Sequence, residues 1–571
     1  MRVYIAKPDP PPVETSFLRK YSVAIILLAA LALLAFGLSA LTPSLMGDEW
    51  GFLHNYIRFG KPSCPGPLAD ARPLSSCWLG MTYGLVDTNI KAYHALGLLI
   101  NLISALLLLM TLDVLLPRRA TFNVAVAAIY LVFPADITRT WLAGAVVRGT
   151  ALFLLAAYFM ARFWRDGRWW AWFAGVVAVA ISLGTYEITL GVFIALSGLA
   201  FLLGRHRTWP QRLGLLVPTF MSIGFSLWRW RWQQSVGSAF GHDVSRAKLS
   251  PLDLLQRLWL GVQYIFGKAW SITVLELQQP APRSGRIATA TSLGIVVGLV
   301  VVAILLAYWA SRKMRRFDSI SDRVDVSRNK IADLVAAGAV GLVIMIAGYF
   351  PIIMAVNPGV GYTTTRIHHL PSVGAALFLC AILFVIGHWL GRTPKRAEFI
   401  ALAGLTPLLV VGVLGQLTVA RQVREAWTDQ KSMWNTLFEQ APDIVDKTQV
   451  LILLSSYGNP ERRPNPLIND TWSLSRALRL MYGNDKLNAS FAWTDPSRAL
   501  SIDGDDLALK YGGDILNFPA AETLVFAFDR NTRELVQIKE LERDGKVLLL
   551  GPDRISPTPT DKTEWRWLVA D

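Results

Sequence analysis

The sequence predicts a polytopic α-helical membrane protein followed by a C-terminal α/β domain, on three observations. The 571 residues are 53% hydrophobic and only 17% charged, whereas soluble domains carry about 25% charge. Apolar runs close to the roughly 20 residues that cross a bilayer recur along most of the chain. The stretch from about Arg421 to Asp571 lacks such runs and mixes strand-like and helical patterns. A soluble enzyme, a disordered scaffold and a secreted disulfide-rich module are thereby excluded.

The first apolar run, Tyr21 to about Pro43, follows Arg19 and Lys20. It is longer than the roughly 7–15 apolar residues of a signal peptide and is read as a retained first span. Further runs lie at about 91–117, 122–134, 144–164, 169–186, 188–204, 213–231, 288–311, 331–356, 371–391 and 399–420, which makes about eleven spans. The alternate gaps carry Arg118–Arg119, Arg162/Arg165/Arg168, Arg205/Arg207/Arg212, Arg312/Lys313/Arg315/Arg316 and Arg392/Lys395/Arg396. The opposite gaps near 134–143, 187 and 357–370 hold only Arg139 and Arg366. This asymmetry predicts a cytoplasmic N-terminus and an extracytoplasmic C-terminus. The net charge of +15 is thus a topology signal, and no nucleic acid partner is expected. Many of the 21 tryptophans, such as Trp169–Trp170, suit interfacial belts among membrane lipids.

Residues 1–420 therefore form the membrane domain and 421–571 an extracytoplasmic α/β domain, with strands in QVLILLSS, ETLVFAFD and KVLLLGP and a helix in TWSLSRALRLMYG. Two further segments, 44–90 and about 232–287, are long extracytoplasmic loops. The second contains PLDLLQRLWLGVQYIFGKAW, whose amphipathic pattern suits a helix lying in the interface. Cys64 and Cys77 share the first loop and could form a disulfide or remain two thiols, while Cys380 lies within an apolar run.

Polar residues gather at the extracytoplasmic ends of the spans: Asp48 and Glu49, Arg72, Asp136 and Arg139, Arg148, Glu187, and Arg366 with His368 and His369. Ionisable groups at membrane depth are expensive and usually face a cavity. Blander readings stand beside that one. Glu187 with Arg148 suits a structural couple, Asp136 with Arg139 a solvated interfacial pair, and His368–His369 a cap on the tenth span. WRWRW, with Arg229 and Arg231, suits an interfacial anchor or a lipid-phosphate site. Arginines grip phosphate with charge-assisted hydrogen bonds, and a nearby carboxylate can take a proton from an acceptor hydroxyl. Together they suit glycosyl transfer from a polyprenyl-phosphate sugar. No His/Cys/carboxylate spacing resembles a metal site, so neither metal nor other cofactor is expected.

Six stretches, in order over roughly residues 20–443, carry a family resemblance: GDEW, RPLSSCWLGMTYGLVDTNIKAYHALGLLINLISALLLL, FPADITRTWLAGAVVRGTALFLLAAYF, YEITLGVFIAL, RIHHLPSVGAALFL and RQVREAWTDQKSMWNTLFEQAPD. They resemble the GT-C class of polytopic glycosyltransferases, in the branch of the transmembrane and tetratricopeptide-repeat O-mannosyltransferases and their bacterial relatives. The resemblance implies a GT-C-like fold in a bacterial cytoplasmic (inner) membrane and an inverting sugar transfer. It makes Asp48 and Glu49 the catalytic carboxylates, with Asp48 as base. Arg366 would hold the donor phosphate, with Arg148, Arg229 and Arg231 as further phosphate-binding candidates. Arg72, Arg139, Glu187, His368 and His369 are candidates for the sugar and acceptor pocket. The chain departs from the family at Tyr186, where Lys is usual, at His368–His369, and in having no helical repeats. The acceptor is accordingly a glycan, a lipid or a protein. The competing readings are a polysaccharide polymerase or ligase with a diphosphate-linked donor, a transporter or flippase, and a non-enzymatic anchor for the C-terminal domain.

Overall fold

The computed structural model describes residues 17–42, 44–61, 64, 72–140, 145–204, 207–236, 250–278, 329–354, 358, 364–454, 471–493, 500–504, 506–511, 514–530, 532–543, 546–556 and 566. The helices are α1 Phe17–Leu41, α2 Glu49–Phe59, α3 Ser75–Val86, α4 Ile90–Leu115, α5 Ala120–Val132, α6 Ala145–Asp166, α7 Trp169–Thr185, α8 Leu190–Leu203 and α9 Trp209–Val236. They continue with α10 Pro251–Gln263, α11 Ala269–Gln278, α12 Asn329–Ile353, α13 His369–Leu390, α14 Pro394–Gln440 and α15 Thr471–Tyr482.

Helices coincide with ten of the eleven expected spans, and the run at 288–311 lies outside the described residues. Among the described residues six helices are long and apolar enough to cross a membrane: Phe17–Leu41, Ile90–Leu115, Val146–Asp166, Ile331–Ile353, Thr365–Leu390 and Pro394–Gln440. The helices α5, α7 and α8 have 13, 17 and 14 residues. At 1.5 Å per residue they reach about 20–26 Å, short of the roughly 30 Å hydrocarbon core. Apolar spacing builds the bundle. On α1 the buried positions Tyr21, Ala24, Leu28, Ala32, Ala35, Phe36 and Ser39 recur every three or four residues and pack on α4, α5 and α14. Helices α12 and α13 approach closely, so that a Cβ on Gly374 would sit 2.3 Å from the Gly341 carbonyl oxygen. Only glycine permits that approach.

The stretch PLDLLQRLWLGVQYIFGKAW begins on a capping box of Ser250 and Asp253. It runs through α10 and one π turn (Tyr264–Lys268) into α11. Leu252, Leu255 and Trp259 are exposed, while Tyr264, Ile265 and Ala269 are buried against the bundle.

Helix α14 changes the domain picture. Its 47 residues measure about 70 Å, twice the thickness of a bilayer core. The boundary expected at 420/421 therefore falls inside one continuous helix, and the first strand starts only at Asp443. The strands are β1 Asp443–Ile444, β2 Gln449–Leu454, β3 Asn488–Trp493, β4 Leu500–Asp503, β5 Asp506–Tyr511, β6 Asp514–Pro519, β7 Thr523–Asp529, β8 Glu534–Ile538, β9 Glu540–Arg543, β10 Lys546–Leu549 and β11 Ile555–Ser556. The main sheet runs β3-β2-β7-β8, with β2 parallel to both neighbours and β8 antiparallel to β7. The α15 helix makes the crossover between β2 and β3, as parallel pairing requires. A separate meander β4-β5-β6 and a hairpin β9–β10 follow.

This domain is fused to the first loop. One core cluster joins Leu45, Met46, Trp50 and Leu53 to Trp427 and Trp434 of α14, to Val450, Ile452 and Phe526 of the sheet, and to Leu474–Tyr482 of α15. Within the same loop Cys64 and Cys77 are disulfide-bonded, with Cα atoms 4.6 Å apart. The free cysteine Cys380 is buried in α13. Thiol labelling of the denatured, unreduced protein should therefore modify one cysteine, and three after reduction; three before reduction would contradict the pairing.

Candidate active site

Gly47 turns the chain out of α1 into α2. Its φ of +48° lies in the left-handed region that favours glycine. Asp48 then occupies the N-cap of α2, where an aspartate normally accepts a hydrogen bond from the first turn. Here its side chain makes no such bond. Glu49 takes the capping role backwards, its Oε2 accepting from the Met46 amide at 2.7 Å while the residue is fully buried. Adjacent helical residues point about 100° apart, so Asp48 turns elsewhere. Arg366 Nη1 donates to Asp48 Oδ2 at 3.2 Å, and both side chains stay about one-third exposed, at 37% and 33%.

A second carboxylate lies beside this pair. Glu187 sits in a single 3-10 turn (Glu187–Thr189) between α7 and α8. Arg72 Nε and Nη2 each donate to it at 2.8 Å, a bidentate fork, and Arg229 Nη1 lies at 3.0 Å. The Arg72 guanidinium also lies 4.0 Å over the Tyr186 ring. The segment 72–78 is fixed on the end of α7: Leu74 N donates to the Gly184 carbonyl at 3.0 Å and Trp78 Nε1 to Thr185 Oγ1 at 2.9 Å. The Cys64–Cys77 bridge closes the loop that carries Arg72.

Asp48, Arg72, Glu187, Arg229 and Arg366 thus form one partly open cluster at the sheet-domain end of the bundle. Three arginines face two carboxylates, which leaves a net positive charge. Tyr186 and Arg72 are both electrostatic neighbours of Arg366, which makes the cluster contiguous. An apolar cavity of about 300 Å³ runs along the bundle. Phe193 and Val373 of its lining lie about six residues beyond Glu187 and Arg366, on the order of 10 Å along the helices, and Leu115, Trp164 and Leu203 lie at the far ends of α4, α6 and α8. Its walls include Phe153, Met160, Phe193, Val373 and Leu377.

Other expected site residues lie apart. Arg139 is 1% exposed and donates from Nη1 to the Tyr130 and Leu131 carbonyls at 2.9 and 3.0 Å. It caps the end of α5, where unpaired carbonyls collect, and neither lines the open cluster nor forms a solvated pair with Asp136. Asp136 is fully buried and faces His369 Nδ1 at 2.9 Å, with Thr138 N and Oγ1 donating to it at 2.8 Å. Burial alone would raise that carboxyl; His369, Arg139 and the Thr138 amide hold it below the usual range. Beneath the surface, His368 stacks on Tyr264 at 4.0 Å and bonds the Tyr349 hydroxyl at 2.6 Å. Both histidines are therefore core connectors and not pocket-lining groups. Glu187 takes Arg72 and Arg229 as partners instead of Arg148, which is 8% exposed. Arg148 and Glu49 both act on Tyr83, whose phenol is pushed up by burial, pulled down by Arg148 and raised again by Glu49. Two residues beyond Arg229, about 200° around the helix, Arg231 is exposed and points away from Glu187.

One contribution was not anticipated. Asp485, in the turn after α15, accepts from Arg58 of α2 at 2.6 Å and faces His54 Nε2 at 3.5 Å. Desolvation opposes ionisation of Asp485, yet Arg58 and His54 hold its carboxyl below the usual range. The C-terminal domain thereby grips the helix that begins at Asp48.

Replacing Glu187 by Gln leaves Arg72 and Arg229 facing each other without a counter-charge. Breaking a buried pair costs about 3–5 kcal/mol, and the partial exposure here puts the cost at the lower end of that range. The thermal midpoint in detergent should fall, and the double variant Glu187→Gln/Arg229→Gln should recover part of the loss. An unchanged midpoint in Glu187→Gln would contradict the clasp.

No protein-family model matches the chain, and no curated protein matches it. Among solved structures it is similar to the crystal structure of ArnT from Cupriavidus metallidurans bound to undecaprenyl phosphate, at 14% identity over 78% of this chain and 85% of that one, with a TM-score of 0.33. It is also similar to ArnT from Cupriavidus metallidurans in the apo state, at 13% identity over 84% of this chain and 86% of that one, again with a TM-score of 0.33.

Proposed function

We propose that this chain is a membrane glycosyltransferase that moves a sugar from a polyprenyl-phosphate donor to an acceptor hydroxyl on the extracytoplasmic side. One observation carries the reading: a carboxylate–arginine pair, Asp48 with Arg366, stands half-open in a net-positive cluster above an apolar cavity. An amphiphile with an anionic phosphate and a hydrocarbon tail has the complementary distribution of charge and apolar surface. The ordered sequence motifs that resemble the GT-C glycosyltransferases support the same reading.

In the proposed reaction Arg366 binds the donor phosphate and leaves Asp48 free to accept. The acceptor oxygen attacks the anomeric carbon from the face opposite the phosphate while Asp48 takes the hydroxyl proton. The carbon–oxygen bond to phosphate breaks, and polyprenyl phosphate departs with its added negative charge on Arg366. One displacement inverts the anomeric centre. The Glu187 clasp holds Arg72 and Arg229 at the edge of the sugar site. Glu49, buried on the Met46 amide, orients the turn that presents Asp48. The acceptor is a glycan, a lipid or a protein hydroxyl.

The reading separates two roles. Arg366→Ala should weaken polyprenyl phosphate binding at least tenfold, whereas Asp48→Asn should retain that binding and lose transfer. Equal binding by wild type and Arg366→Ala, measured by titration in detergent, would remove Arg366 from the phosphate site.

A further inference from the structure

A cavity of about 690 Å³ with a mixed polar and apolar lining lies outside the cluster just described, where three elements meet. The end of α1 supplies Leu38 and Leu41, the extramembrane part of α14 supplies Arg424, Lys431 and Ser432, and the turn before β8 supplies Arg533. Arg424 and Lys431 are seven residues apart and share one face of α14. Gln430 lies about 100° around the helix and binds the Leu45 carbonyl on the Asp48 side. The cavity therefore belongs to a different face from the candidate active site.

Its lining holds three cations and no carboxylate. Asp429, just beneath, is 6% exposed and already accepts from Arg533 at 2.8 Å and Arg530 at 3.4 Å. Glu425 also acts on Arg530, yet the four cations Arg424, Lys431, Arg530 and Arg533 outnumber the carboxylates of Asp429 and Glu425, so the cavity remains positive. Arg533 also has a φ of +63°, a left-handed conformation uncommon for a bulky side chain. Its amide donates to the Asp529 carbonyl at 2.7 Å, its carbonyl accepts from Ser432 Oγ at 3.0 Å, and its guanidinium is tied to Asp429. Backbone held in this way clusters at ligand clamps.

The rim identifies the occupant. Leu41 is 73% exposed at the end of a helix apolar enough to cross a membrane, and the exposed face continues down α1 through Leu33. An apolar runway that ends beneath three cations matches a lipid: chains along α1, anionic head in the cavity. We propose that this cavity binds the phosphate-bearing headgroup of a membrane lipid in the leaflet nearest the C-terminal domain. The proposal is independent of the reaction assigned to Asp48.

The test uses the full chain in phosphatidylcholine nanodiscs with and without phosphatidylglycerol, reading the lipid retained by native mass spectrometry and the thermal midpoint. Phosphatidylglycerol should be retained by wild type and raise its midpoint. Arg424→Gln/Lys431→Gln should reduce retention on the order of thirtyfold, the loss for two cations at a membrane surface, with each single variant intermediate. Lys395→Gln, at the other end of α14, should retain the lipid as wild type does. Equal retention by wild type and the double variant would overturn the proposal. A midpoint raised as far by inorganic phosphate alone as by phosphatidylglycerol would overturn it too.

Discussion

The carboxylate of Glu187 sits in a three-residue turn between two apolar helices, too short to provide a solvating loop, and the guanidinium groups of Arg72 and Arg229 make its charge tolerable there. That requirement orders the end of the bundle. Arg72 can reach Glu187 because Leu74 and Trp78 dock on the last turn of α7 and a disulfide closes the loop behind them. With Arg72 forked on Glu187 and stacked on Tyr186, Arg366 takes Asp48 as its partner. The open carboxylate–arginine pair follows from the closed one.

The second constraint is mechanical. Asp48 opens a short helix whose buried face, through Trp50 and Leu53, enters the same core as Trp427 and Trp434 of α14 and the strands of the C-terminal sheet. Trp50 Nε1 donates to Gln430 at 3.1 Å, and Asp485 holds the far end of the helix through Arg58. A loop residue with that support has a fixed position, which a charge used in chemistry needs. The C-terminal domain is thus part of the frame of the cluster, and α14 is the beam that joins it to the bundle.

Much of this was legible in the sequence. Apolar runs located ten helices of the bundle, and the strand-like runs of the tail became β2, β7 and β10. The divergence of Glu49 from Asp48 follows from adjacency on a helix. The misreadings at Glu187, His368 and His369 share one cause: partners far apart in sequence. Glu187 was set against Arg148, 39 positions away, because nothing local shows that Arg72, 115 positions away, folds onto it. His369 meets Asp136 across 233 positions, and the tyrosines around His368 come from α12 and the π turn after α10. Arg139, by contrast, had a local signal. It stands nine residues after Tyr130, within reach of the carbonyls that end α5, and a capping role was available from spacing alone. Likewise Arg229 and Arg231 are two residues apart and cannot share a helix face.

Donor turnover tests the central claim most directly. Purified protein is offered a panel of polyprenyl-phosphate sugars together with candidate acceptors, and released polyprenyl phosphate is measured for wild type and Asp48→Asn. Release with one sugar by wild type, and its loss in an Asp48→Asn protein that keeps the wild-type thermal midpoint, is the predicted result. Equal release by the two proteins would contradict the account.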